Sequence, residues 1–191
     1  MEDLHKVESK VDRLKSKLET FGIDISAWGT GGYKTLDHLT KEIECQEVFL
    51  NVNENSELIR ISEVVAATIF YTHDDGKKYC LREEKQVFFD GRERVRSSAG
   101  QSVFEKMQLG EDPTEAMLRG ISEELGIVGS MLLNYVDKVE NIADSKSYPG
   151  LQTKSTTHLF EAILNSEQFH PQGYREEQPD KVTYFIWESV K

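Results

Sequence analysis

The sequence predicts a layered α/β or α+β domain over residues 55 to 191, preceded by a helical segment over residues 1 to 50. Three observations carry this reading. A heptad-type apolar stripe opens the chain, runs rich in Ile, Val and Thr flank a tight turn in its first half, and one helix with both ends specified separates the early strands from the later ones.

Leu4, Val7, Val11, Leu14, Leu18 and Phe21 recur at alternating spacings of three and four, with charged residues between them, and Gly22 ends the helix they imply. With fewer than three full heptads, the stripe either docks onto the chain's own core or forms a short coiled coil between two subunits of a homodimer. A glycine-containing turn follows, with Trp28 expected to pack against the helices, and Thr35 caps a second amphipathic helix from Leu36 to Cys45. The run into Lys34-Thr35 lacks the spacing of a phosphate-cradling loop. That loop needs Gly directly before the Lys and again six positions before it, where this chain has Tyr33 and Trp28.

From about Val48 the periodicity turns toward strand. Leu58 to Thr72 and Lys78 to Glu83 form a hairpin around His73-Asp74-Asp75-Gly76, and further strands are expected at Gln86 to Asp90, Met131 to Glu140, Thr156 to Leu164 and Val182 to Glu188.

Composition narrows the partners. The 34 acidic and 23 basic residues leave a net charge of −11, a field that repels nucleic acid polymers but tolerates a small phosphorylated molecule if metal ions neutralise the carboxylates that meet it. No apolar run approaches the length of about 20 residues that crosses a bilayer, so no membrane partner is expected. The opening Met1-Glu2-Asp3 has no signal-segment character, which points to a cytoplasmic address. Cys45 and Cys80 form no metal or redox motif, and the five histidines have no ligand spacing.

The segment Gly110 to Ile127 is the most informative. Asp112 with Glu115 reads as a capping box, Pro113 suits the first helical position, and Gly126 suits the left-handed residue beyond the end. Met117, Leu118, Ile121 and Leu125 fall on one face; Ala116, Arg119, Gly120 and Glu123 fall on the other, with Glu124 at its edge. Glu123, Glu124 and Glu111 gather hard oxygen donors of the kind Mg²⁺ takes, with Arg119 one turn back. The plain alternative is a solvated acidic face in which Arg119 pairs with a glutamate four residues on.

This stretch resembles the Nudix box, G-x5-E-x7-R-E-U-x-E-E-x-G-U with U aliphatic. Glu111, Arg119, Ile121, Glu123, Glu124, Gly126 and Ile127 match seven of its nine fixed positions, and Gly110, Pro113 and Ala116 match common embellishments. The resemblance implies a Nudix α/β/α sandwich with a mixed sheet. It also implies a Mg²⁺-dependent hydrolase, with Mn²⁺ as the alternative ion, that splits a nucleoside diphosphate linked to another moiety or a related diphosphate. Glu123, Glu124, Glu105 and Glu111 would be the metal ligands, with Arg119 orienting the carboxylates. Two positions depart: the opening glycine is Glu105, and the glutamate after the arginine is Gly120. Two readings follow. Either Glu105 fills the space that Gly120 leaves, giving a rearranged catalytic site, or the chain is a catalytically impaired binding or regulatory module. A glutamate from outside the box often completes such sites; the candidates are Glu161 in a strand and, preferred, Glu176 and Glu177 in a loop that could close over substrate. A diphosphate isomerase, a third reading within the resembled superfamily, would need a protonating residue such as a cysteine in the pocket.

Overall fold

The computed structural model describes residues 9–95 and 101–190. Leu4 and Val7 of the opening stripe lie outside the described residues. The chain divides into two compact units, one comprising Met1–Glu63 with Glu140–Thr156 and the other Val64–Val139 with Thr157–Lys191.

In the first unit, helix α1 (Lys10–Thr20) starts at Ser9, whose hydroxyl accepts from the Asp12 amide at 3.1 Å while the Asp12 carboxylate accepts from the Ser9 amide at 3.3 Å. Helix α2 (Leu36–Glu44) repeats the device with Thr35 and His38. Each reciprocal pair satisfies amides that a helix start leaves without partners. Leu14 and Leu18 of α1, Leu39 of α2, Trp28, Val48 of strand β1 (Val48–Val52) and Leu58 of strand β2 (Leu58–Thr72) form one apolar cluster with Tyr148 and Leu151. Leu14 and Leu18 are therefore buried inside their own unit, with Phe21 packed against the same cluster. The Trp28 indole donates to the Pro149 carbonyl at 3.0 Å. The Lys34 ammonium lies 2.6 Å from the buried Glu42 carboxylate, which also takes Arg60 at 2.9 Å. The helical segment expected to end near residue 50 is thus part of a larger unit that includes β1, the start of β2 and Glu140–Thr156.

In the second unit, β2 and strand β3 (Lys78–Phe88) form the expected hairpin, with Phe70 opposite Cys80 and the His73 amide donating to the Lys77 carbonyl at 2.9 Å. A register shift between Glu83 and Lys85 lets β3 run on to Phe88, so the separate strand expected at Gln86 to Asp90 is the end of β3. Strands β4 (Glu93–Val95) and β5 (Val103–Lys106) precede helix α3 (Pro113–Leu125). After it come β6 (Leu132–Asp144), β7 (Gln152–Ile163), β8 (Tyr174–Glu177) and β9 (Lys181–Ser189). The strand order is β6-β7-β2-β3-β9-β8, with β1 and β5 pairing on β2 and β4 on β3. The Leu164 amide donates to the Phe70 carbonyl at 2.9 Å, joining the C-terminal ends of β7 and β2, so these two run parallel. Among the described residues the ladders with a defined register are antiparallel, and the open sheet is mixed, as the resemblance implied.

Asp112, Pro113 and Gly126 stand where the sequence places them, but the expected capping box is only half formed: the Asp112 carboxylate accepts from the Thr114 and Glu115 amides at 2.8 and 3.3 Å, without the reciprocal bond from the Asp112 amide to the Glu115 side chain, and Gly126 closes the helix at φ +67°, where a side chain would be strained. The buried face differs from the expected one: Ala116 and Gly120 are buried with Met117, Ile121 and Leu125, while Leu118 is exposed. The small residues Ala116 and Gly120 let the helix press closely onto β5 and β8, and that close approach, not side-chain volume, sets its rotation. Glu124, one turn beyond Gly120 on the same line, is thereby turned toward the sheet.

Candidate functional site

The site assembles on the sheet face that α3 covers. Opposite residues of an antiparallel pair share a face, so the ladders place Glu176 of β8, Thr183 of β9 and Gln86 of β3 in one row, and Tyr174, Phe185 and Glu83 in the next. A cavity of about 170 Å³ opens above these rows, lined by Glu83, Gln86, Thr183 and Glu176 from the sheet, Glu124 from α3, and Ser102, Phe104, Gln178 and Lys181 at its sides. Gln86 Oε1 and Thr183 Oγ1 are buried there without a protein hydrogen-bond partner, so the floor presents polar atoms to whatever fills the cavity.

Arg119 organises a cluster with Glu105, Glu111 and Glu123 that does not line the cavity. Its Nε and Nη2 each donate to the Glu111 carboxylate at 3.0 Å, a bidentate pair, and Nη2 also donates to the Lys106 carbonyl at 2.9 Å. Nη1 donates to Glu105 Oε1 at 3.0 Å and to Glu123 Oε2 at 3.4 Å. These contacts employ all five guanidinium N–H groups and tie β5, the loop before α3 and α3 together. The carboxylates around it hold the Arg119 pKa above its already high ordinary value, the Glu111 hydrogen bond being the largest cause. The same bond holds the Glu111 carboxyl below the usual carboxylate range, against the opposing effect of burial. Glu111 Oε2 also accepts from the Gln108 amide at 2.8 Å, so both oxygens of this expected metal ligand are engaged by the protein.

Glu105 stands opposite Val65 in the β5–β2 ladder and sends its side chain against α3. A Cβ added to Gly120 would lie 2.7 Å from Glu105 Cβ and 3.2 Å from its Cγ. The side chain of Glu105 therefore fills the space that Gly120 leaves.

The two neighbouring glutamates separate. Glu123 is exposed and turned toward Arg119, while Glu124 faces the cavity, where burial, then Glu176, Glu105 and Glu83, push its carboxyl up to about 8 against the hydrogen bond from the Phe104 amide. The preferred outside pair also separates, because residues 174–177 form a strand and not a loop: Glu176 lines the cavity, while Glu177 points away and pairs with Arg175. Glu161 is exposed on β7 and does not line the cavity. Glu83 was missed by sequence reasoning, although a glutamate two residues after the buried Leu81 on a strand is a detectable signal.

Among the described residues no three His, Cys, Asp or Glu side chains already stand as a metal cage. Even so, the carboxylates of Glu176, Glu105 and Glu83 raise the proton affinity of Glu124, and a divalent cation there would relieve that repulsion. One or two carboxylates with water and substrate oxygens suffice for Mg²⁺, and the residues present fit that requirement.

No protein-family model and no curated protein matches this chain. Among solved structures it is similar to a MutT/nudix family protein from Enterococcus faecalis, 13% identical with a TM-score of 0.46, over 82% of this chain and 52% of that one. It is also similar to the NUDIX domain of NrtR from Shewanella oneidensis, complexed with ADP ribose, at 14% identity and a TM-score of 0.37 over 66% of this chain and 71% of that one. A third is the dihydroneopterin triphosphate pyrophosphohydrolase of E. coli, at 19% identity and a TM-score of 0.39 over 67% of this chain and 79% of that one.

Proposed function

We propose that this protein is a Mg²⁺-dependent hydrolase of Nudix type, acting on a nucleoside diphosphate linked to another moiety or on a related diphosphate, through a rearranged acidic site. The observation that carries the reading is the exchange between Glu105 and Gly120. The space beside Gly120, where the box that the helix resembles has a glutamate, is taken up by the Cβ and Cγ of Glu105 from the adjoining strand, which supports Glu105 as the substitute donor. Glu124 and Glu105 would hold the ion, with Glu123 beside them and Glu176 facing them across the cavity. When bound, Mg²⁺ would hold the diphosphate and lower the pKa of the attacking water. Arg119 keeps Glu105 and Glu111 in place. Glu111 acts as a strut, since its oxygens are engaged by Arg119 and Gln108. Neither cysteine lines the cavity.

A second reading, a binding module without turnover, is favoured by one observation: Arg119 holds an oxygen of Glu105, the residue the first reading needs for metal. A panel of dinucleotide polyphosphates, nucleotide sugars and nucleoside triphosphates separates the two. Mg²⁺-dependent phosphate release that falls by 100-fold or more in both Glu124→Gln and Glu105→Gln supports the hydrolase. Binding of a panel compound without release supports the module, and release that survives both variants removes this site from the reaction.

A further inference from the structure

The ladders order the polarity of the cavity. On the face that α3 covers, β3 and β9 set Glu83 opposite Phe185, Gln86 opposite Thr183 and Phe88 opposite Lys181. The register shift keeps Glu83 on the face of Gln86, although three residues separate them. Glu176 of β8 joins the second row through its pairing with Thr183. The third row lies about 7 Å further along, two residues of strand rise. It holds Lys181, the one cation among the described residues that line the cavity.

Two groups at this end are left open to a ligand. Among the described residues the Lys181 ammonium makes no ion pair with Glu83, Glu124 or Glu176, the carboxylates of its own cavity, and stands 5.9 Å from the ring centroid of Phe88 across the ladder. Thr183 is 2% exposed, and its hydroxyl oxygen has no hydrogen-bond partner. A buried hydroxyl in that state costs stability, so its presence here serves something other than the fold.

We infer that Lys181 and Thr183 form a subsite for a terminal phosphate, one phosphate beyond the diphosphate held at the carboxylates, so that the substrate is a phosphate-terminated polyphosphate such as a nucleoside triphosphate and not a nucleotide sugar. The inference rests on the diphosphate reading proposed above and specifies the moiety that reading leaves open. The ammonium supplies the charge, and the Thr183 hydroxyl donates one hydrogen bond to a phosphate oxygen. The Gln86 amide, 5% exposed and opposite Thr183, adds no charge that would repel the anion. Glu83 and Glu176 do repel it, and the third row is the direction that leads away from Glu83. A neutral sugar in the same place would leave the charge of Lys181 unmatched.

The test is titration calorimetry of the full chain in Mg²⁺ with the methylene-bridged analogues of inorganic pyrophosphate and triphosphate, whose P–C–P links resist hydrolysis. Lys181→Ala should weaken the triphosphate analogue about tenfold or more, the scale of one charge-assisted hydrogen bond, and the pyrophosphate analogue by less than about threefold. Lys181→Arg should keep both affinities within about threefold of the parent. So should Lys85→Ala, which removes the same charge from β3 at a residue that does not line the cavity. Thr183→Val should weaken the triphosphate analogue while the ligand-free protein melts no lower than the parent, because the fold does not use that hydroxyl. Equal weakening of both analogues, an unchanged triphosphate affinity in Lys181→Ala, a lower melting temperature in Thr183→Val, or a parent that binds no triphosphate analogue at about 1 mM overturns the inference. The two readings fail separately. The expected binding pattern in a chain that releases no phosphate from any substrate keeps the subsite and removes the hydrolase, whereas turnover of nucleotide sugars that ignores Lys181→Ala keeps the hydrolase and removes the subsite.

Discussion

Replacing Gly120 with Ala tests the packing on which the rearranged site depends. In an exposed helix the change would stabilise by about 1 kcal/mol, because glycine is the poorer helix former. Here the new methyl group would meet Glu105 Cβ at 2.7 Å and Cγ at 3.2 Å. Carbon atoms prefer a separation of about 3.5–4.0 Å, so roughly 1 Å of movement is required. Glu105 Cβ is fixed to a backbone laddered to β2 through Val65, and the strand or the helix must shift as a whole. Overpacking of this kind costs about 1–3 kcal/mol, which outweighs the propensity gain and leaves a net loss of about 1 kcal/mol. In a Glu105→Gly background the obstacle is gone, and the same Gly120→Ala change should stabilise by about 1 kcal/mol. The double-mutant cycle should therefore show a coupling near 2 kcal/mol. Chemical denaturation of the four proteins measures it, and a chain of this size should show it as shifts of about 2–4 °C per kcal/mol on melting. If Gly120→Ala stabilises equally in both backgrounds, Glu105 does not occupy that space, and the reasoning about the exchanged carboxylates fails with it.

Without divalent metal, stability should fall as pH rises through the interval bounded by the ordinary Glu124 value of 4.5 and its raised value of about 8. The folded state holds this proton more tightly than the unfolded one, so the associated stability is complete below 4.5 and is lost as pH passes 8. The loss should be roughly 1–3 kcal/mol. Melting in chelator from pH 5 to 8.5 should show this decline, flattened in Glu124→Gln; an unchanged slope in that variant would place the titration elsewhere. Glu111 has the opposite sign: its depressed value contributes stability above the ordinary carboxylate range that is lost on acidification. Deleting residues 1–50 removes Leu14, Leu18, Trp28, Leu39 and Val48 from the cluster that contains Leu58, Tyr148 and Leu151. The truncated chain should melt well below the parent and expose apolar surface to a hydrophobic dye, and an unchanged melting temperature would show that the first unit needs no helical cover.

The sequence by itself determined what short-range chemistry controls. Thr35 starts α2, Asp112 with Pro113 starts α3 and Gly126 ends it, each through atoms within four residues, and the β2–β3 hairpin follows from its turn. The carboxylates of the helix and the arginine among them were likewise legible, because their spacing is the signal. Only the tertiary structure decided which way α3 faces, since the close approach of Gly120 to β5 depends on a side chain fifteen residues earlier, on another element. The same holds for β8, four residues without apolar alternation that become a strand because β9 offers them a ladder, and for the choice of Glu176 over Glu177, which the face of that ladder makes. Glu83 joined the cavity for the same reason. Side chains far apart in sequence share a site when pairing register places them on one face, and register is a property of two strands that neither carries alone.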